Sequence, residues 1–200
     1  MNTEPIFRTA FWVLFGGLMV MQVYFASRVR QAGERVKADR QAIEREGWWY
    51  AVVRAIGSLS LIAFLVLYAI NPPWLEVLLV PFPDWLRWTG VALGGVSFVL
   101  YGWSQATLGK AWSPHLQTRE EHHLITTGPY ARMRHPIYLA LIGFLTGIAL
   151  VTANWFFIAL LVVSIVVLAL RIPKEEEMMI EDFGEEYKAY MQRTGRLFPK

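Results

Sequence analysis

The stretch from His122 to Tyr138 reads HHLITTGPYARMRHPIY and gathers imidazole, phenol and guanidinium groups between two apolar segments. All four histidines of the chain, His115, His122, His123 and His135, lie in it or just before it. A second polar stretch carries Arg171 and Glu175, which share one helix face if the backbone stays near-helical through Pro173. Arg171 can hold a carboxylate bidentately. His115, His123 or Glu175 can take a proton from an amine or thiol, whereas a carboxylate nucleophile needs only desolvation and alignment. Metal ligation is disfavoured, because His122 and His123 are adjacent and no acid pair stands nearby at ligand spacing. Taken singly, each residue has a plainer reading. Interfacial Arg, His and Tyr anchor spans, Arg171–Glu175 is a surface ion pair worth little, and Glu176 and Glu177 belong to a solvated helix start.

The elements around these residues must come from an unusually apolar chain. Hydrophobic residues make up 55% and charged residues 18% of the 200, and the charges cluster, leaving long uncharged runs. That pattern is a polytopic membrane protein of the all-α class. No cysteine is present, so thiolate nucleophiles, disulfides and thiolate metal sites are excluded. The first span is Thr9 to Ser27, retained rather than cleaved, since no basic segment precedes it. The second, Gly47 to Ile70, opens on the interfacial aromatics Trp48, Trp49 and Tyr50 and carries Arg54 one turn in. Trp74 to Pro83 is too short and too rich in proline to span, and is expected to lie in the interface. The third span is Trp85 to Leu108, with Gly90, Gly94 and Gly95 suited to close helix packing in lipid. Pro136 to Val151 and Asn154 to Leu170 form a tight hairpin, with Asn154 capping the second helix. Both are short, so one is expected to be tilted or enclosed by its neighbours. Gly128-Pro129 reads as a turn, and Pro136 suits the first turn of a helix. Pro173 either kinks the last apolar helix or starts a new one, and the tail repeats Met179, Phe183, Tyr187 and Tyr190 or Met191 at helical spacing, which predicts an amphipathic helix of about four turns.

Charge orients the spans. Lys and Arg number six in 28–46, four in 109–135 and six from 171 on, against Arg8 and Arg87 in the remaining loops. With five spans the three rich regions share one side, which the positive-inside rule makes cytoplasmic, with the N-terminus outside. The net charge of +3 is thereby explained by topology and does not imply nucleic acid.

Gly128-Pro129-Tyr130, Arg134-His135-Pro136-x-Tyr138, and Glu175-Glu176 followed by Phe183-Gly184-x-Glu186-Tyr187 occur in this order. Together they resemble the isoprenylcysteine carboxyl methyltransferase family, within a wider group that includes phospholipid N-methyltransferases. The resemblance covers roughly Trp103 to Pro199. It implies one integral membrane domain over 1–200, with 109–138 and 171–199 building a site for S-adenosylmethionine, and no Rossmann unit; no Gly-x-Gly-x-x-Gly occurs. Matched position by position, it implies cofactor contacts from His115, His122, Leu124, Ile125, Tyr130, His135, Pro136, Ile137, Tyr138 and Glu175. At His115 the family often has an amide instead. Arg171 matches a substrate-side arginine, and Arg171 and Glu175 are the expected catalytic pair. The implied reaction is carboxyl methylation of an isoprenylcysteine-like or other lipophilic acceptor at the cytoplasmic face, leaving S-adenosylhomocysteine. The runner-up is methylation of a phospholipid amine or a lipophilic thiol. Readings of another class are an NADPH-dependent membrane reductase and a non-catalytic lipid-binding protein. The expected partners are the lipophilic or prenylated acceptor and membrane lipid, without nucleic acid or metal.

Overall fold

The computed structural model describes residues 3–31, 48–109 and 124–200, and these are all-helical apart from isolated bridges. The helices are α1 (Glu4–Gln31), α2 (Trp48–Ile70), α3 (Asp84–Leu108), α4 (Pro136–Thr152) and α5 (Trp155–Arg193). Two short 3-10 turns, Pro73–Leu78 and Gly128–Ala131, connect them. By length and composition α1, α2 and α5 can each cross a membrane, while α4 is apolar but only 17 residues long. The enclosure expected of one short hairpin helix falls on α4. It buries Pro136, Ala140, Phe144, Gly147, Ile148, Ala149, Val151 and Thr152.

Glycine lets α3 and α4 cross at backbone contact. A Cβ added at Gly147 would stand 2.7 Å from both Gly90 O and Gly94 N, and one added at Gly143 would collide with Ser97 Oγ. In lipid, where apolar burial drives helices together weakly, such close approach is the main source of association. Gly147→Ala should therefore force the two backbones apart and cost about 1–3 kcal/mol. Thermal unfolding in detergent checks this, and an unchanged midpoint would contradict it.

The α4–α5 hairpin turns at Ala153, whose φ of 44° and ψ of 52° are left-handed. Asn154 caps α5 as expected, its Oδ1 accepting from Phe156 N at 2.9 Å. The chain after the 73–78 turn lies against this corner, with Val80 N donating to Ala153 O at 2.7 Å. Arg87 locks the same end. It is 6% exposed, donates to Val151 O through Nε and Nη2, pairs with Glu4 at 2.7 Å and sits over the Phe7 ring. A buried arginine satisfied by a helix-end carbonyl and a carboxylate carries its charge without an orphaned donor. Arg54, in contrast, is exposed.

Of the two readings of Pro173, the structure takes continuity over a new start. The last apolar helix continues without interruption through Pro173 and turns non-helical only at Gly184, with φ 53° and ψ −126°. Proline removes one hydrogen bond and kinks a helix, but need not end it when the flanking turns are held. Here Arg171, Ile172 and Glu176 are all buried, which holds those turns. Glycine absorbs the later break, because its φ lies where side chains are strained.

Candidate functional site

At the end of the bundle away from Arg87, the entry to α4 meets the middle of α5. The 3-10 turn begins at Gly128, whose φ is 56°. A Cβ there would come within 2.8 Å of Thr107 Oγ1 and 3.3 Å of Trp103 Nε1, so the turn needs glycine both for conformation and for contact with α3. Pro129 and Tyr130 are buried behind it. Pro136 occupies the first turn of α4, as its sequence context predicts.

Residues 194–196 then pair with the chain leading into α4. Arg134 N donates to Gly195 O at 2.9 Å, His135 N to Arg196 O at 3.0 Å, and Gly195 N to Arg132 O at 3.0 Å. The hydroxyl of Tyr190 donates to Tyr130 O at 2.6 Å. Peptide groups that no helix satisfies are thus paired with one another, and the turn is fixed by the end of α5.

Glu176 is the hub beneath this strap. It is 3% exposed. Arg134 Nε donates to its Oε1 at 2.8 Å, Arg196 Nη2 to its Oε2 at 2.5 Å, and His135 Nε2 lies 3.4 Å from Oε1. Arg134 uses Nη1 for Thr194 O at 2.6 Å and Met191 O at 3.2 Å, closing the C-terminal end of α5. Burial disfavours the Glu176 carboxylate, but the hydrogen bonds from His135, Arg196 and Arg134 outweigh it and hold the group at about 2, below the usual 4.5. The sequence reading treats Glu176 as a solvated neighbour of Glu175. Only its one-residue offset, which turns it to a different face of α5, could have signalled otherwise.

Glu175 faces the other way and is partly open, its side chain 27% exposed. Tyr138 joins it to Arg171. The phenol donates to Glu175 Oε2 and accepts from Arg171 Nε at 3.1 Å. Its ring lies parallel to the His135 imidazole, with centroids 5.4 Å apart and planes 8° apart. His135 Nδ1 lies 4.0 Å from Glu175 Oε1. Arg171 is 7% exposed and also donates through Nη1 to the Tyr50 hydroxyl at 2.5 Å, from the start of α2. The Tyr130 phenol is pushed well up, chiefly by burial and then by Glu175, so it stays protonated at neutral pH.

His135, Pro136, Tyr138, Arg171 and Glu175 are therefore gathered in one place, with Tyr130 just behind. Leu124 and Ile125 are half-buried on the approach to the turn. Ile137 packs toward the apolar core. His115 and His122 lie outside the described residues. Among the described residues no group of three or more His, Asp or Glu side chains is placed to hold a metal ion. Tyr50, Arg134, Glu176, Thr194 and Arg196 complete the cluster.

Three apolar helices of membrane-crossing length define the class as an integral membrane protein. Residues 90–181 match the isoprenylcysteine carboxyl methyltransferase (ICMT) family. Protein-S-isoprenylcysteine O-methyltransferase B of Arabidopsis thaliana is 30% identical over 151 residues, 72% of this chain and 71% of that protein. The chain belongs to the isoprenylcysteine carboxyl methyltransferase family. It is also similar to two resistance proteins. The nickel-cobalt-cadmium resistance protein NccN of Alcaligenes xylosoxydans xylosoxydans is 27% identical over 56% of this chain. The cobalt-zinc-cadmium resistance protein CzcN of Cupriavidus metallidurans is 26% identical over 57%. The match spans about half the length of each, 53% and 54%. The solved structure of the eukaryotic intramembrane Ras methyltransferase ICMT shares the fold, with a TM-score of 0.59 and 22% identity over 95% of this chain and 67% of that one.

Proposed function

We propose that the chain is an S-adenosylmethionine-dependent methyltransferase that esterifies the carboxylate of an isoprenylcysteine-like, lipophilic acceptor at the cytoplasmic membrane face. One observation carries this reading. The Tyr138 hydroxyl bonds both Glu175 and Arg171, so a carboxylate suited to a cation and a guanidinium suited to an anion stand on either side of one phenol.

The donor set fits the cofactor. Glu175 is open enough to take its ammonium, and the parallel faces of His135 and Tyr138 offer an aromatic surface for adenosine. When bound, the cofactor supplies a methyl group on a positively charged sulfur. The chain has to hold the acceptor carboxylate in line, keep water out and avoid neutralising the nucleophile by protonation. Arg171 can do the first through the positive charge of its guanidinium, oriented by the phenols it already meets. Burial of Arg171, His135 and Tyr130 serves the second. No general base is required, because a carboxylate already carries its negative charge at neutral pH.

Within this reading α1 to α5 are five spans of one domain covering 1–200, oriented by the positive-inside rule with the site and residues 171–200 cytoplasmic. An acceptor with a long apolar tail lies in lipid beside the helices and brings only its polar end to Arg171.

The experiment is a thermal-shift assay of the detergent-purified protein with S-adenosylhomocysteine and, separately, NADPH. S-adenosylhomocysteine at a hundred times its Kd should stabilise by about 2.7 kcal/mol, a shift of several degrees. Stabilisation by NADPH alone would replace this proposal with a reductase, and stabilisation by neither would leave a non-catalytic lipid-binding protein.

A further inference from the structure

We infer that Tyr50 is a positioning residue for the methyl acceptor, acting through Arg171; this rests on the function proposed above. Tyr50 lies 121 positions before Arg171, outside the 90–181 segment that matches the family. The sequence alone reads it as part of an interfacial aromatic belt. In the structure its hydroxyl accepts from Arg171 Nη1 at 2.5 Å, and its ring centroid is 4.9 Å from the guanidinium carbon. Its neighbour Trp49 meets Lys174, one turn on, with the ring centroid 5.5 Å from Nζ.

The rest of α2 shows why this contact is more than packing. Towards its far end α2 is held by aromatic contacts. Phe64 stacks on Phe156 at 3.8 Å, and Tyr68 meets Phe11 at 4.8 Å and Phe157 at 5.8 Å edge to face. From Ala51 to Ser60 no residue of α2 is buried. Core packing therefore does not set where the first turns of α2 sit, and the meeting of Tyr50 with Arg171 does.

A guanidinium is a planar fork, and what it recognises depends on the direction of that plane. Arg171 has Nε fixed on the Tyr138 hydroxyl and Nη1 fixed on the Tyr50 hydroxyl. Two fixed points on one rigid plane set its tilt and rotation. A carboxylate docked on that plane arrives at a set angle, as an in-line displacement demands. The phenol does this without charge, so it orients the guanidinium while leaving the attraction for an anion intact.

The test uses the full chain in detergent, with N-acetyl-S-farnesylcysteine as acceptor and S-adenosylmethionine carrying a labelled methyl group. Tyr50→Phe keeps the ring over Arg171 and removes only the hydroxyl. It should lower kcat/KM for the acceptor about tenfold, the size expected for losing one hydrogen bond to a charged group. KM for S-adenosylmethionine, stabilisation by S-adenosylhomocysteine and the melting temperature should stay at wild-type values. Trp49→Leu, which frees Lys174 but not Arg171, should leave the acceptor kinetics unchanged. An unchanged acceptor kcat/KM in Tyr50→Phe, or an equal defect in Trp49→Leu, would reduce Tyr50 to an anchor of α2 and overturn the inference. A wild-type protein that binds S-adenosylhomocysteine but never methylates this acceptor would overturn the acceptor assignment itself, and Tyr50's role with it.

Discussion

Arg171→Ala is expected to abolish methyl transfer while leaving S-adenosylhomocysteine bound. Among the described residues the guanidinium meets Glu175 through the Tyr138 hydroxyl, so its loss reaches that carboxylate at one remove. On the proposed function the acceptor side loses the group assigned to hold the nucleophile in line, and a misplacement of about 1 Å there costs on the order of a hundredfold in rate. Turnover with labelled cofactor should thus fall at least that far, with the thermal shift from S-adenosylhomocysteine close to wild type. Glu175→Ala and His135→Ala should show the converse pattern, since both line the face assigned to the cofactor. Equal loss of S-adenosylhomocysteine affinity in all three variants would sink this division of labour.

Glu176→Ala should be the most destabilising single change in the cluster. It leaves Arg134, whose side chain is 8% exposed, without its carboxylate, and removes the partner of His135 and Arg196. Breaking a buried ion pair from one side costs about 3–5 kcal/mol. The strap at 194–196 and the turn before α4 should loosen together, which hydrogen exchange at residues 132–136 would report alongside a lowered melting temperature. The acid dependence follows from the carboxyl being held at about 2 in the folded protein, below its ordinary 4.5. The folded state releases this proton more readily than the unfolded one. The stabilisation is therefore complete above about 4.5 and is lost as pH falls from there towards 2. The gap in melting temperature between wild type and Glu176→Ala should accordingly narrow over that window. A gap that stays constant down to pH 3 would mean that Glu176 is not the charged hub.

Much of this was legible in the sequence because the relevant signals are local. Hydropathy marks α1, α2 and α5. Pro136 and Asn154 mark the starts of α4 and α5, and the paired motifs mark His135, Tyr138, Arg171 and Glu175. What was not legible depends on partners far away in the chain. Gly90 and Gly94 show one side of a close crossing, but nothing local says that Gly147 is the other. Glu175 and Glu176 look alike in sequence, and only the rotation of α5 turns one towards Tyr138 and the other under Arg134. Pro173 in sequence either kinks a helix or starts a new one. The buried residues on either side decided for continuity, and the break moved to Gly184. Tyr50 carried the ordinary mark of a span's aromatic edge, with no sign of the arginine it meets.

The pairing of residues 194–196 with the segment before α4 also sets a schedule for biosynthesis. The Arg171–Tyr50, Arg134–Glu176 and Tyr190–Tyr130 bonds join residues 121, 42 and 60 positions apart. The earlier helices can enter the bilayer and find one another while the ribosome is still at work. The polar cluster closes only after residue 196 has left the exit tunnel, so the nascent chain is inserted first and its polar end is assembled last.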